Sequence, residues 1–256
     1  MAVSLGGIGY SFAGSLGQVS SASVSADPTA GATVVVGTLH TVWADASDIV
    51  SSVTDNAGNS YALAPNTRQY NNGQNVEIWY AYNVNTTTGL VVTVNYLDPD
   101  MNNRAVRVAI IEGASTTDPL DLSSGSTQSG NTSTDGITTG VVGTPTTDGQ
   151  FVFSMTAMGN SPDNVFPGTG YTGIGSYVYN NFNRAEYLIQ STASPVAGTF
   201  TIDLAGGVAA TSVATFKAAG GGGSIPSYKS TKMFPGGITP MIMKPNGQNL
   251  YQFTAQ

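Results

Sequence analysis

Few residues in this chain have side chains that could do chemistry, and each stands in a readable context. The one imidazole, His40, lies in VVVGTLHTVW and shares a strand face with Val34, Val36 and Val42. Acid–base work needs an orienting partner and a nucleophile or substrate proton within reach, and no G-x-S-x-G motif accompanies this histidine. The expected role is that of a sheet histidine. The three glutamates, Glu77, Glu112 and Glu186, all fall in predicted strands. A glycosidase would need two carboxylates about 5 Å or about 6.5–9.5 Å apart, and nothing in the spacing selects such a pair. Glu112 falls on the face of Val106, Val108 and Ile110 at a strand end, and Arg107 and Arg184 are candidate ion partners. Structural ion pairs are therefore expected, with no catalytic residue and no cofactor.

Two further groups offer binding chemistry. In YLDPDMNNRA, Asp98, Asp100 and Asn102, with Asn103 beside them, put hard oxygen ligands at alternate positions, as Ca²⁺ prefers. The stretch lacks the glycine and bidentate glutamate of an EF-hand loop, so an Asp/Asn-rich turn is the expectation and the metal candidate is weak. In GYTGIGSYVYNNFN, Tyr171, Tyr177, Tyr179 and Phe182 stand among Gly and Asn. Aromatic platforms with amide hydrogen-bonding groups suit neutral glycans, although cross-strand pairing explains the same residues.

The elements that must position these groups are strands. In VEIWYAY, Val76, Ile78, Tyr80 and Tyr82 alternate with Glu77, Trp79 and Ala81. LVVTVNY, TFTIDL and FVFSMTA alternate in the same way, and no amphipathic helix of ordinary length is found. Turn residues in TDNAGNSY predict a hairpin between Ile49–Thr54 and Ser60–Ala64, NTTTGL leads into the next strand, and AGGVA reads as a second tight hairpin. The polar stretches 113–136 and 159–176 read as loops. Together these predict an all-β body, a single large antiparallel two-sheet sandwich over residues 1–219.

Composition narrows the class. Of 256 residues, 40% are hydrophobic but only 9% are charged, far below the usual quarter. The surface must be Ser, Thr, Asn and Gly. With no cysteine, disulfides and thiolate sites are excluded. The net charge of −7 argues against nucleic acid as a partner, and no apolar run is long enough for a membrane helix. The first residues, MAVSLGGIGYSFAGSLGQ, lack the charged and apolar regions of a secretory signal.

The strings SSVTDNAGNSYAL, VEIWYAYNV, AVRVAIIEGASTTDPLD and GTFTIDLAGGVAATSVATFKAA resemble a β-sandwich domain that recurs in phage structural proteins and secreted bacterial proteins. The resemblance spans about residues 8–219 and implies a jelly-roll-like or immunoglobulin-like fold with no catalytic residues.

Beyond it, Gly220–Ser224 form a glycine-rich hinge, and residues 225–256 change in chemistry. The tail holds three lysines and no acid, whereas all fifteen acids precede residue 204. Pro226, Pro235, Pro240 and Pro245 forbid a continuous helix. Ile225, Tyr228, Met233, Phe234, Ile238, Met241, Ile242, Met243, Leu250, Tyr251 and Phe253 make it too apolar for a solvated spacer, and it is too short to build its own core. It reads as an extended assembly arm. A tail docked on its own body is the alternative, and GGGGS also matches an engineered linker. The expectation from sequence is thus a non-enzymatic structural protein of a virion or extracellular assembly: a phage decoration, head-fibre or tail-associated component. Its partners would be neighbouring subunits or another virion protein. The rival is a carbohydrate-binding or adhesin module that contacts cell-surface glycan.

Overall fold

Runs such as TVVVGTLHT and QFVFSMTAMG are apolar or small at nearly every position, the composition of strands covered on both faces. They form the centre of the molecule. The computed structural model describes residues 2–14, 17–41, 49–97, 102–130, 136–159, 164–175, 183–203 and 207–220. Along these residues run β1 (Ser4–Ala13), β2 (Val19–Ser23), β3 (Thr33–Thr41), β4 (Val50–Asp55), β5 (Ala62–Leu63), β6 (Gln69–Asn71), β7 (Gln74–Ala81), β8 (Val91–Tyr96) and β9 (Asn102–Glu112). Then come β10 (Leu120–Ser129), β11 (Ile137–Thr138), β12 (Gln150–Gly159), β13 (Val165–Pro167), β14 (Thr172–Ile174), β15 (Asn183–Gln190), β16 (Thr199–Ile202) and β17 (Val208–Phe216).

The body is all-β and antiparallel, as expected, but its described residues form four sheets where two were expected. Their strand orders are β1-β9-β3-β7-β5 with β6 also on β7, then β10-β17-β12-β15-β14, β2-β8-β4 and β11-β16-β13. The two larger sheets face each other across the main core, where Val35, Val76, Ile78 and Ile111 meet Phe151, Phe153, Met155 and Phe216. The opposite face of the first large sheet packs Val34, Val36, Val106 and Val108 on Val92 and Val94 of the β2-β8-β4 sheet. Beyond the second large sheet, Met158 and Ala209 meet Ile137, Val165, Phe200 and Ile202 of the fourth. Two-face burial is why period-two alternation underestimates the layers: Val76 and Ile78 face one core while Glu77 and Ala81 are equally buried on the other side.

The two halves repeat one topology. In residues 4–112, β1 pairs with β9, β2 with β8 and β3 with β7. In residues 120–216, β10 pairs with β17, β11 with β16 and β12 with β15. Each half is thus one long antiparallel ribbon rolled into a large and a small sheet; among the described residues, β6 alone lacks a counterpart. Register supports the match: Glu77 opposes Thr38, which opposes Val106, while Glu186 opposes Ser154, which opposes Val213. Each glutamate is the fourth residue of its eight-residue strand.

The face-to-face sheets join without a gap. Gly37 lies opposite the bulk of β12: a Cβ there would stand 2.5 Å from Met155 Sδ and 2.9 Å from Phe153 Cε1. At the rim, Asn71 Nδ2 donates to the Gln128 and Ala209 carbonyls at 2.8 and 3.1 Å, and Ser123 Oγ donates to the Pro65 carbonyl at 2.7 Å.

Three local expectations are corrected. TDNAGNSY is not a hairpin: β4 pairs with β8 and β5 with β7, so it is a corner at which the chain changes sheets. AGGVA is likewise not a hairpin, since β16 and β17 belong to different sheets; residues 204–206 lie outside the described residues. The stretch 113–136 contains β10, a ten-residue edge strand whose last seven residues are Ser, Thr, Gly and Gln, held by pairing with β17, and 159–176 contains β13 and β14.

Candidate functional site

The three glutamates are dispersed, each with its own partners. Glu77 is fully buried between the β1–β9 sheet and the β2-β8-β4 sheet. It accepts from Arg68 Nε at 3.2 Å, from Trp79 Nε1 at 2.8 Å and from the Val50 amide. Burial raises its pKa, and Arg68, Trp79 and Val50 hold it back. Glu186 lies in the matching place of the second half, where its oxygens accept the Gly168 and Thr199 amides at 2.8 and 3.2 Å. Burial pushes its pKa up to about 8 against the pull of those amides and Arg184. Both carboxyl groups therefore fasten an outer sheet to an inner one. The central core separates them, and packed sheets stand about 10 Å apart, so they do not form a carboxylate pair. Glu112, at the end of β9, accepts from the Thr29 amide at 3.1 Å and from the Thr29 hydroxyl.

His40 is a sheet histidine with an unusual setting. It is wholly buried, and its ring meets Tyr96 of β8 edge-on, with centroids 5.5 Å apart. Among the described residues neither ring nitrogen has a hydrogen-bond partner, and the same holds for both side-chain polar atoms of Asn75 and for Thr38 Oγ1. Burial, with Arg68 nearby, drives the His40 pKa down to about 3.

The TDNAGNSY corner is explained residue by residue. Asp55 Oδ1 accepts the Ala57 and Asn59 amides, both at 3.0 Å, and Oδ2 accepts Asn59 Nδ2 at 2.8 Å and the Tyr61 hydroxyl at 2.9 Å. Gly58 supplies a φ of 72°. Asn56 and Asn59 then hold the 82–90 connection through Val91, Gly89 and Asn85. The string is a structural knot, as its Asx-turn chemistry allows.

Of the glycan candidates, Tyr171 packs with Val152, Val196 and Val213, and its hydroxyl donates to the Ala197 carbonyl at 2.7 Å. Tyr177, Tyr179 and Phe182 lie outside the described residues, as do Asp98, Asp100 and every arm residue from Ile225 to Phe253. Of Asn102, β9 includes the backbone. Among the described residues, no group of three or more His, Cys, Asp or Glu is placed to hold a metal.

The anchoring of residues 217–219 is a feature that composition does not reveal. The strand system ends at Phe216, and the chain is then tied to the segment joining the halves. Lys217 donates its amide to the Pro119 carbonyl at 2.6 Å, Ser115 to Lys217 at 2.9 Å and Ala219 to Gly113 at 2.7 Å. Lys217 Nζ also meets Asp118 at 2.7 Å. No protein-family model matches the chain, no curated protein matches it and no solved structure matches it, so no family is identified.

Proposed function

We propose that this chain is a non-enzymatic structural protein of a virion or extracellular assembly, in its sharpest form a phage-particle component that joins its neighbours through residues 225–256. The observation that carries the reading is the root at residues 217–219. The last described strand ends at Phe216, and backbone hydrogen bonds tie residues 217–219 to the 113–119 connection. A load on the arm would be borne by those bonds and passed to the junction of the two halves. The rolled-ribbon order of each half supports a jelly-roll reading, an architecture common in capsid and lectin domains. Dispersed, structurally engaged glutamates favour a non-catalytic role.

Burying several arm side chains at about 1.5–3 kcal/mol each would hold a neighbour, with the cost of ordering the arm set against it. The test is competition. A synthetic peptide of residues 225–256, added in excess, should lower the mass of the full-length assembly in sedimentation velocity. An assembly indifferent to the peptide, or a full-length chain that stays monomeric, rejects self-assembly through the arm. Glycan-array binding by such a monomer would instead select the adhesin reading.

A further inference from the structure

The repeat supplies an internal control for the buried histidine. Two residues along from the Thr38–Glu77 pair, His40 opposes Asn75; two along from Ser154–Glu186, Thr156 opposes Arg184. Thr156 is satisfied at this position, donating to the Ala210 carbonyl at 3.2 Å and sharing a hydrogen with Thr211 Oγ1 at 2.9 Å. The fold therefore closes over this position without an imidazole. The N-terminal half instead places there the chain's single histidine, buried, without a hydrogen-bond partner among the described residues, and against a tyrosine of the outer sheet.

We propose that His40 is a proton-triggered release between the two sheets of the N-terminal half: taking up a proton there loosens the β2-β8-β4 sheet from β3, β7 and β9, while the C-terminal half lacks the device. The physical reason is desolvation. An imidazolium carries two N–H donors and a charge, and a buried charge is tolerated only when paired. Every element packed around it contributes to its surroundings. The connection before β6 brings Arg68, which is engaged with Glu77 of β7; β8 brings Tyr96, and β9 brings Arg104, whose guanidinium carbon stands 6.0 Å from the Tyr96 ring centroid. The described carboxylate among these is already committed to Arg68 and Trp79. Asp45, Asp48, Asp98 and Asp100 lie outside the described residues. The proton comes from solvent and no bond other than N–H is made.

The sign follows from linkage. An unfolded histidine takes up its proton below about pH 6.5, whereas the folded one refuses it until about pH 3. Between those values the opening equilibrium should rise by about tenfold per pH unit from this group alone. The single histidine makes the test direct. In the full-length protein, the ring Hε1 resonance should not titrate between pH 8 and pH 5. Urea unfolding of wild type and His40→Gln over pH 7 to 4 should diverge, with the wild type losing about tenfold more in its folding equilibrium per unit. Amides of β2, β4 and β8 should lose exchange protection before those of β11, β13 and β16. A native Hε1 titration near pH 6.5, or parallel pH profiles for the two proteins, overturns the proposal. Should His40→Gln fail to fold, the resonance alone decides.

Discussion

At the residue scale, this protein uses its few ionisable groups as fasteners. Asp55 accepts four hydrogen bonds within one corner, and bonds to charged groups contribute about 1.5–3 kcal/mol each without adding fully. Asp55→Ala should cost about 2–4 kcal/mol in urea unfolding, with Asp55→Asn less harmful because it keeps one acceptor oxygen; a loss near zero would mean that the corner holds without its knot. Glu186 gives a pH prediction of opposite sign to that of His40. Its folded pKa stands near 8, above the ordinary carboxylate value. The folded state thus keeps a proton that the unfolded chain gives up near pH 4.5, and the contribution is complete below that value and lost as pH rises towards 8. Glu186→Gln should abolish this term, which is worth about 1.4 kcal/mol per pH unit. Equal slopes of stability against pH, from 5 to 8, in wild type and variant would contradict it. The candidate site was only partly legible here. His40 as a sheet residue follows from its apolar companions on one face, but the lack of a hydrogen-bond partner for its ring among the described residues does not, because Asn75 faces it across strands and Tyr96 across sheets.

Among the elements, the strands were legible wherever one face is wet. Val92, Val94 and Tyr96 are buried as their alternation demands, and Val91, Thr93 and Asn95 are partly exposed. Legibility failed in two physical situations. Strands covered on both faces, such as β3 and β12, carry no polar face by which to count layers, so four sheets read as two. Polar edge strands fail the other way: β10 owes its conformation to β17, not to its own Ser and Thr residues. One turn was available in the sequence. Asn72–Gly73, with φ of 45° and 87°, joins β6 to β7 as the Asn-Gly pair favours. The central packing gives a prediction at this scale. Gly37 is a hole filled by Met155 and Phe153, and overpacking typically costs about 1–3 kcal/mol. Gly37→Val should reach or exceed the upper end in thermal unfolding, because the opposing sheet is clamped on both faces. Truncating the filler by Phe153→Ala should cost about 3–5 kcal/mol by leaving a cavity. If both substitutions are neutral, the two large sheets are not packed as described.

For the whole molecule, the doubling explains its size and the position of its exit. Two rolled ribbons share one core, and the 113–119 segment that joins them also ties down residues 217–219. On the proposed reading, a chain ending at Ala219 should keep the body folded. Charge sets the ionic response: fifteen acids lie on the body side and three lysines in the arm, so arm-to-body attraction should weaken with salt, exposed charges being screened beyond about 8–10 Å. The measurement that tests the account most directly is light scattering of the full-length chain beside a chain ending at Ala219, at equal concentration in low and moderate salt. Self-assembly through the arm gives a defined oligomer for the first and a folded monomer for the second. Two identical folded monomers would contradict it.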